Sequence, residues 1–493
     1  MDRFVKINSN QGGPFNVNQN LLDFHLSPGS VYNLKDSYIS LNCDIQVVEN
    51  ETTSGVGIYP MDLKWVSTST TSVPKVENVS LVRNATLSCQ AKGQIENIRR
   101  VDMLKQNLYQ YTKSQNEDIS QSYLGANQLI DPVNRNQFSI YSDINKTGNI
   151  KSRSLTSVPI QIPLADMFEF CRATEFDTAR AGMTHIHCEL NMDKLQAVQR
   201  NLSANWANTS IPKVADLTVV GALNQVSTTV KYTNLDASPF YVGMKVVIAS
   251  ATPAGTTPPA VIVGNKHVIN SIVWNKAAGG QLDITFATDI GTLVSGQSYT
   301  GVTIVNEVVA SATFNINFAE IVVKEVTQPQ GFDVIEYSTY STEETNGGDL
   351  LSFQRQFTVE PEAVNLMIMF PSALDDIVSH NPGISSWRLR QNSKDLTDRP
   401  LEKSSPLAWD RKNMTLLNLN NGRELENLVQ VTGNTSRVDL WKDVYSNPDV
   451  TVQTIMSPLT QTTVQKLLQV NITSTTPIKD MILFKQLTRK FQY

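Results

Sequence analysis

The stretch SYISLNCDIQVV (Ser37–Val48) decides the fold. Ile39, Leu41, Cys43, Ile45 and Val47 fall on one side of an extended chain, and Ser40, Asn42, Asp44 and Gln46 fall on the other. Period two over nine residues predicts a strand with one face buried. Just before it, HLSPGSVYNL (His25–Leu34) carries a Pro28-Gly29 turn.

The same alternation recurs outward from this stretch. Val158, Ile160 and Ile162 alternate up to the break at Pro163. In MTHIHCELNM (Met183–Met192), Ile186, Cys188 and Leu190 share one face, and His185, His187 and Glu189 share the other. Phe314, Ile316 and Phe318 alternate, as do Val364, Leu366, Ile368 and Phe370 before Pro371. A helix is predicted over Ile98–Tyr111, where Val101, Leu104 and Leu108 have helical spacing. Short helices are expected at Arg423–Val431 and Val438–Tyr445. FDVIEYSTYSTEE is read as a strand region ending at Asn346-Gly347-Gly348, and TPIKDMILFKQL as a closing strand.

Composition agrees with an all-β chain. Of 493 residues, 18% are charged, below the roughly 25% usual for globular domains. Asn, Thr, Ser and Gln take the place of the missing charge, which suits the outer faces of strands better than those of long helices. From about Val214 to Val305 the chain is poorer still in charge, with turns at Thr252–Ala260 and Ala277–Gly280. Strands resume afterwards, and Thr327–Gly331 reads as a linker. The expected organisation is an arm at 1–20, a first sandwich at 21–212 plus 306–328, an inserted β-rich domain at 213–305 and a second sandwich at 329–493. Each half holds enough strands for a jelly-roll of eight.

The net charge is −5 and no long basic run occurs, so bulk nucleic-acid binding is not expected. Lys485, Arg489 and Lys490 form the most basic stretch, read either as a solvated tail or as a contact for an acidic partner. Cys43, Cys89, Cys171 and Cys188 are too few and too scattered for a disulfide framework and suggest folding in a reducing compartment. The N-terminus has no apolar signal region, and no apolar run approaches a spanning helix.

Motifs for chemistry are absent. There is no phosphate-binding glycine loop, no G-x-S-x-G elbow and no H-E-x-x-H. Neither a catalytic residue nor a cofactor is expected. His185 and His187 project to one strand face and could chelate a metal with Glu189, but three polar residues in alternation more often make a plain polar face. Asp375-Asp376 and Glu343-Glu344 are read as solvated loop acids, because adjacent strand residues point to opposite faces. Phe168, Phe170, Phe314, Phe318, Phe353 and Phe357 are read as core.

The order of segments resembles the double jelly-roll major capsid proteins of double-stranded DNA viruses, of the polinton-like virus, adintovirus and virophage type. Leu22–Val47 is similar to the opening strands of that family's first jelly-roll, and Val158–Leu195 to its late segment. Glu336–Tyr340 and Ser385–Leu401 resemble parts of the second. The resemblance implies two upright jelly-rolls per chain and homotrimeric, pseudo-hexameric capsomers of an icosahedral virion, with 213–305 projecting outward. It implies contacts with neighbouring capsomers, with penton and minor capsid proteins, and through the arm with an internal layer. Two other classes fit the composition. One is a carbohydrate-binding or carbohydrate-active sandwich using Trp206, Trp274 and Trp387; the other is a fibre or adhesin module.

Overall fold

The computed structural model describes residues 3–48, 61–65, 76–112, 128–130, 152–173, 175–199, 203–206, 209–210, 225–227, 240, 242–253, 266–275, 281–286, 298–306, 311–373, 376–396, 399–403, 405–419 and 454–493. Their architecture is all-β. The first sandwich uses β1 (Arg3–Asn8), β2 (Leu21–Leu26), β3 (Val31–Val48), β4 (Val82–Cys89), β5 (Gly93–Arg99), β6 (Ser152–Pro163), β7 (Thr184–Leu190) and β8 (Ser311–Glu325). These strands pair antiparallel in the orders β1-β8-β3-β6 and β2-β7-β4-β5, and the short strand Phe176–Asp177 extends the start of β3. Eight strands connected this way make a jelly-roll. β1 lies within the segment read as an arm and is hydrogen-bonded along β8 from Arg3 to Asn8.

The stretch quoted first lies in β3, with Ile39, Leu41 and Cys43 fully buried. Before Ile39 the buried apolar residues of β3 are Tyr32 and Leu34, which belong to the opposite parity. A strand with period two can change parity only through an irregularity. Asn33–Ser37 supplies it: the Asp36 N–H donates to Asn33 Oδ1 at 3.2 Å, and Ser37 Oγ donates to the Asn33 carbonyl at 2.6 Å. The ladder to β8 slips at the same place.

The second sandwich uses β9 (Val334–Val359), β10 (Ala363–Met369), β11 (Ile384–Gln391), β12 (Thr454–Pro458) and β13 (Lys466–Gln492). β9 and β13 are each long enough to serve both sheets. Residues 334–346 of β9 pair with 480–492 of β13, which continues to β10 and β12. Residues 352–359 pair with 466–473, which continues to β11 and the short strands Lys394–Asp395 and Leu401–Glu402. Counting each half of the long strands separately, this is again the strand order of a jelly-roll. The chain is therefore a double jelly-roll.

The strand expected to end at Asn346-Gly347-Gly348 instead runs through it. The ladder shifts register there, and the backbone passes from one sheet to the other. A Cβ on Gly347 would lie 2.2 Å from the Ile478 carbonyl oxygen, so only glycine lets the two bending strands approach this closely.

Helix α1 (Val101–Thr112) fits the expected helix, except that Ile98 remains in β5. Arg100, at φ 57°, makes the break between strand and helix. Helix α2 is Pro406–Leu419. The helices expected at Arg423–Val431 and Val438–Tyr445 lie outside the described residues. Among those residues no helix is long and apolar enough to cross a membrane.

Strands within Ser203–Asn306 form one further antiparallel sheet of seven and, among the described residues, pair with no strand of either jelly-roll. Ser203 pairs with Val305, so the chain enters and leaves this sheet at neighbouring positions between β7 and β8.

Candidate functional site

Two places concentrate polar chemistry: the joint between the jelly-rolls and the outer face of β2 and β7. The joint begins with strands apolar on both faces. In β10, Leu366 and Ile368 enter the core of the second jelly-roll, while Met367 and Met369 enter the core that begins in the first. β13 divides likewise, with Met481 and Leu483 on one side and Ile482 and Phe484 on the other. One apolar core thus runs from the first jelly-roll into the second.

Helix α1 is packed into this core, and its polar residues Asp102, Lys105, Gln106 and Asn107 are buried with its apolar ones. Each finds partners. The Asp102 carboxylate accepts from Arg100 Nε (3.1 Å), Asn191 Nδ2 (3.0 Å) and the Met103 N–H (2.8 Å). Burial nevertheless pushes the Asp102 carboxyl upward, against the pull of Arg100. Arg100, 2% exposed, reaches across to donate from Nη2 to the Asp376 carbonyl at 2.6 Å. Lys105 pairs with Glu169 at 2.6 Å, and Arg172 holds the same carboxylate at 2.7 Å. Burial pushes Glu169 up, but these two cations outweigh it and the net direction is down.

Asn107 completes the crossing. Its Nδ2 donates to the Ile377 carbonyl at 3.0 Å, and its Oδ1 accepts from the Ser379 N–H at 2.9 Å. On the far side, Asp376 accepts from Ser372 Oγ and the Ile377 N–H and lies 3.2 Å from His380 Nε2. Burial raises its carboxyl, and these partners more than reverse the shift. Asp376 is 3% exposed, which corrects its reading as a solvated loop acid; Asp375 lies outside the described residues.

A second seam is aromatic. Phe491 of β13 meets Phe170 at 5.5 Å and Phe176 at 6.0 Å between ring centroids, and Tyr337 meets Phe170 at 5.0 Å. The Asp177 N–H donates to the Tyr493 hydroxyl at 2.8 Å, and the Arg180 guanidinium lies 4.5 Å over the Tyr493 ring. Glu96 is buried beneath, accepting from the Phe170 N–H at 2.9 Å; burial pushes its carboxyl up to about 8.

Other candidates from the sequence fall as follows. Lys485 is buried within β13, 3.5 Å from Glu343 and 3.3 Å from Glu360, whereas Arg489 and Lys490 are exposed on the same strand, so the basic C-terminal stretch is a paired strand with a solvated end and not a loose tail. Phe318 is 40% exposed and is not core, whereas Phe168, Phe170, Phe353 and Phe357 are buried. Trp387 is buried too, which removes it as a sugar platform. All four cysteines are buried thiols; burial drives Cys188 up to about 12 and Cys171 well above the ordinary thiol range.

His185, His187 and Glu189 do share the outer face of β7. Register brings two further residues to them: His185 is opposite His25, and His187 is opposite Asp23. His25 Nε2 is 3.0 Å from Asp23 Oδ2, and the His25 and His185 rings meet edge to face at 4.2 Å. Glu189 lies further along, where it accepts from Asn84. Alternation within one strand identified the β7 residues. Their β2 partners follow only from register, which no local pattern encodes.

No protein-family model matches the sequence, and no curated protein matches it. Solved structures are similar in fold. The cryo-EM structure of the Sputnik virophage is 11% identical, with 99% of this chain and 86% of that chain covered at a TM-score of 0.43. The Faustovirus major capsid protein is 8% identical, with 100% and 90% covered at 0.43. The mavirus major capsid protein is 10% identical, with 99% and 86% covered at 0.32.

Proposed function

We propose that this chain is a major capsid protein, the structural subunit of trimeric, pseudo-hexameric capsomers in an icosahedral virion. The observation that carries the reading is the joint. One chain holds two complete jelly-rolls against each other through a continuous apolar core, with the buried polar groups of α1 paired across it. Such a pair is a rigid two-lobed block, and three such blocks around an axis give six lobes. Cyclic closure brings one surface of a block against a different surface of its neighbour.

On this reading the chain is not an enzyme. Its partners are copies of itself, then neighbouring capsomers, pentons and minor capsid proteins, with the N-terminal segment 1–20 facing an internal layer. The Ser203–Asn306 sheet projects from the capsomer; its entry and exit strands are ladder partners, as an inserted domain requires. The low charge of the chain favours subunits packed edge to edge.

Negative-stain imaging of the purified protein tests this. Hexagonal outlines with threefold symmetry, or closed shells, are expected. Elongated fibres, or single two-lobed particles at every concentration, would contradict it.

A further inference from the structure

We propose that Asp23, His25 and His185 bind one divalent transition-metal ion of the zinc type on the outer face of the first jelly-roll. One ligand atom from each lies within 4.8 Å of those of the other two. The arrangement is dictated by strand geometry. Asp23 and His25 are two apart on β2 and therefore share a face. Antiparallel register sets His185 opposite His25 and His187 opposite Asp23, and opposed residues have Cβ atoms about 4.5–5.5 Å apart. The result is a square of three imidazoles and one carboxylate.

The inward neighbours fix the square in place. Leu22, Phe24 and Leu26 of β2 alternate with it into the core, as do Ile186 and Cys188 of β7. The strands cannot slip without exposing these residues. Two of the three donor side chains are open to solvent, with Asp23 27% and His25 38% exposed, so an ion can reach them.

The donor set selects the ion. Imidazole suits zinc, copper and nickel, whereas calcium and magnesium require shells of oxygen. Three protein ligands leave room for water at the fourth position of a tetrahedral ion. His187 Nδ1 is 4.0 Å from Asp23 Oδ1, beyond hydrogen-bond reach, so it flanks the three ligands without joining them. Binding clamps β2 to β7. The site needs only the fold of one jelly-roll and stands whether or not the chain builds capsids.

The test is calorimetric titration of the untagged full-length protein with zinc chloride, repeated with cobalt(II) to read visible absorption. One saturable equivalent per chain and a tetrahedral cobalt spectrum are expected. His25→Ala and His185→Ala are each expected to weaken binding at least about tenfold, and E189Q to leave it within about twofold. Melting of both histidine variants in EDTA is expected to match the parent, because these side chains face solvent. The absence of saturable binding to the parent would overturn the site. So would unchanged affinity in His25→Ala and His185→Ala, or a loss confined to E189Q.

Discussion

The side-chain amide of Asn107, in helix α1 between the two jelly-rolls, accepts from the backbone N–H of Ser379 at 2.9 Å. The same amide donates to the Ile377 carbonyl, so one residue of the first jelly-roll satisfies two buried backbone groups of the second. Asn107→Ala leaves both without a partner. An unsatisfied buried group costs about 1–3 kcal/mol, so the variant, with two such groups, is expected to lose roughly 2–6 kcal/mol in urea unfolding. A loss below about 0.5 kcal/mol, the range of an ordinary surface change, would show that the joint does not depend on this amide.

Arg100 and Asp102 make the ionic part of the joint. R100M strands a buried carboxylate, and breaking one side of a buried pair costs about 3–5 kcal/mol. R100M combined with D102N is expected to cost less than R100M alone, since the stranded charge is gone. A double-mutant cycle measures this, and strict additivity would mean that the two residues are not coupled.

Glu96 gives a pH dependence of definite sign. Its carboxyl, ordinarily near 4.5, is raised to about 8 in the fold by burial. The folded state therefore holds this proton more tightly than the unfolded state. The resulting contribution to stability is fully present below 4.5 and is lost as pH rises through 8. Each pH unit in that window is worth about 1.4 kcal/mol at most. E96Q is expected to flatten the decline in melting temperature between pH 5 and about 8, and an unchanged slope would exclude Glu96 as its source.

Gly347 carries the bend of the long strands. G347A places a methyl group 2.2 Å from the Ile478 carbonyl oxygen, a backbone atom that cannot turn aside. The strain is expected to cost about 1–3 kcal/mol or more. G12A meets nothing within 4 Å and serves as the neutral control. Equal melting of the two variants would mean that the bend tolerates a side chain.

The inserted sheet is expected to be dispensable for assembly. Replacing Ser203–Asn306 with a short Gly-Ser bridge joins positions that neighbour one another in the Ser203–Val305 ladder. The shortened chain is expected to keep its oligomeric state in gel filtration. A shift to monomer would place this sheet in the assembly contacts.

The fold was legible wherever one face of a strand meets solvent. Ile39, Leu41 and Cys43, or Ile186, Cys188 and Leu190, announce themselves by period two. The joint was harder to read because both faces of its strands are buried. In Val364–Phe370 the alternation is carried by Val364, Leu366, Ile368 and Phe370, while the intervening Met367 and Met369 are the sign of a second buried face. Buried polar residues such as Asp102, Asn107 and Asp376 look like surface in a sequence, since only distant partners make their burial tolerable. The Gly347-Gly348 pair resembled a strand end because glycine marks chain ends and close-packed bends alike. The square of Asp23, His25, His185 and His187 was half legible: alternation shows which residues share a face of one strand, and register with a strand some 160 residues away supplies the rest.

The most direct measurement of the central claim is the solution mass of the purified chain by multi-angle light scattering across a range of concentrations. A mass three times the 54.7 kDa of one chain, held on dilution, is the expected result. A single-chain mass that persists at the highest concentration reached would contradict a capsomer-forming subunit.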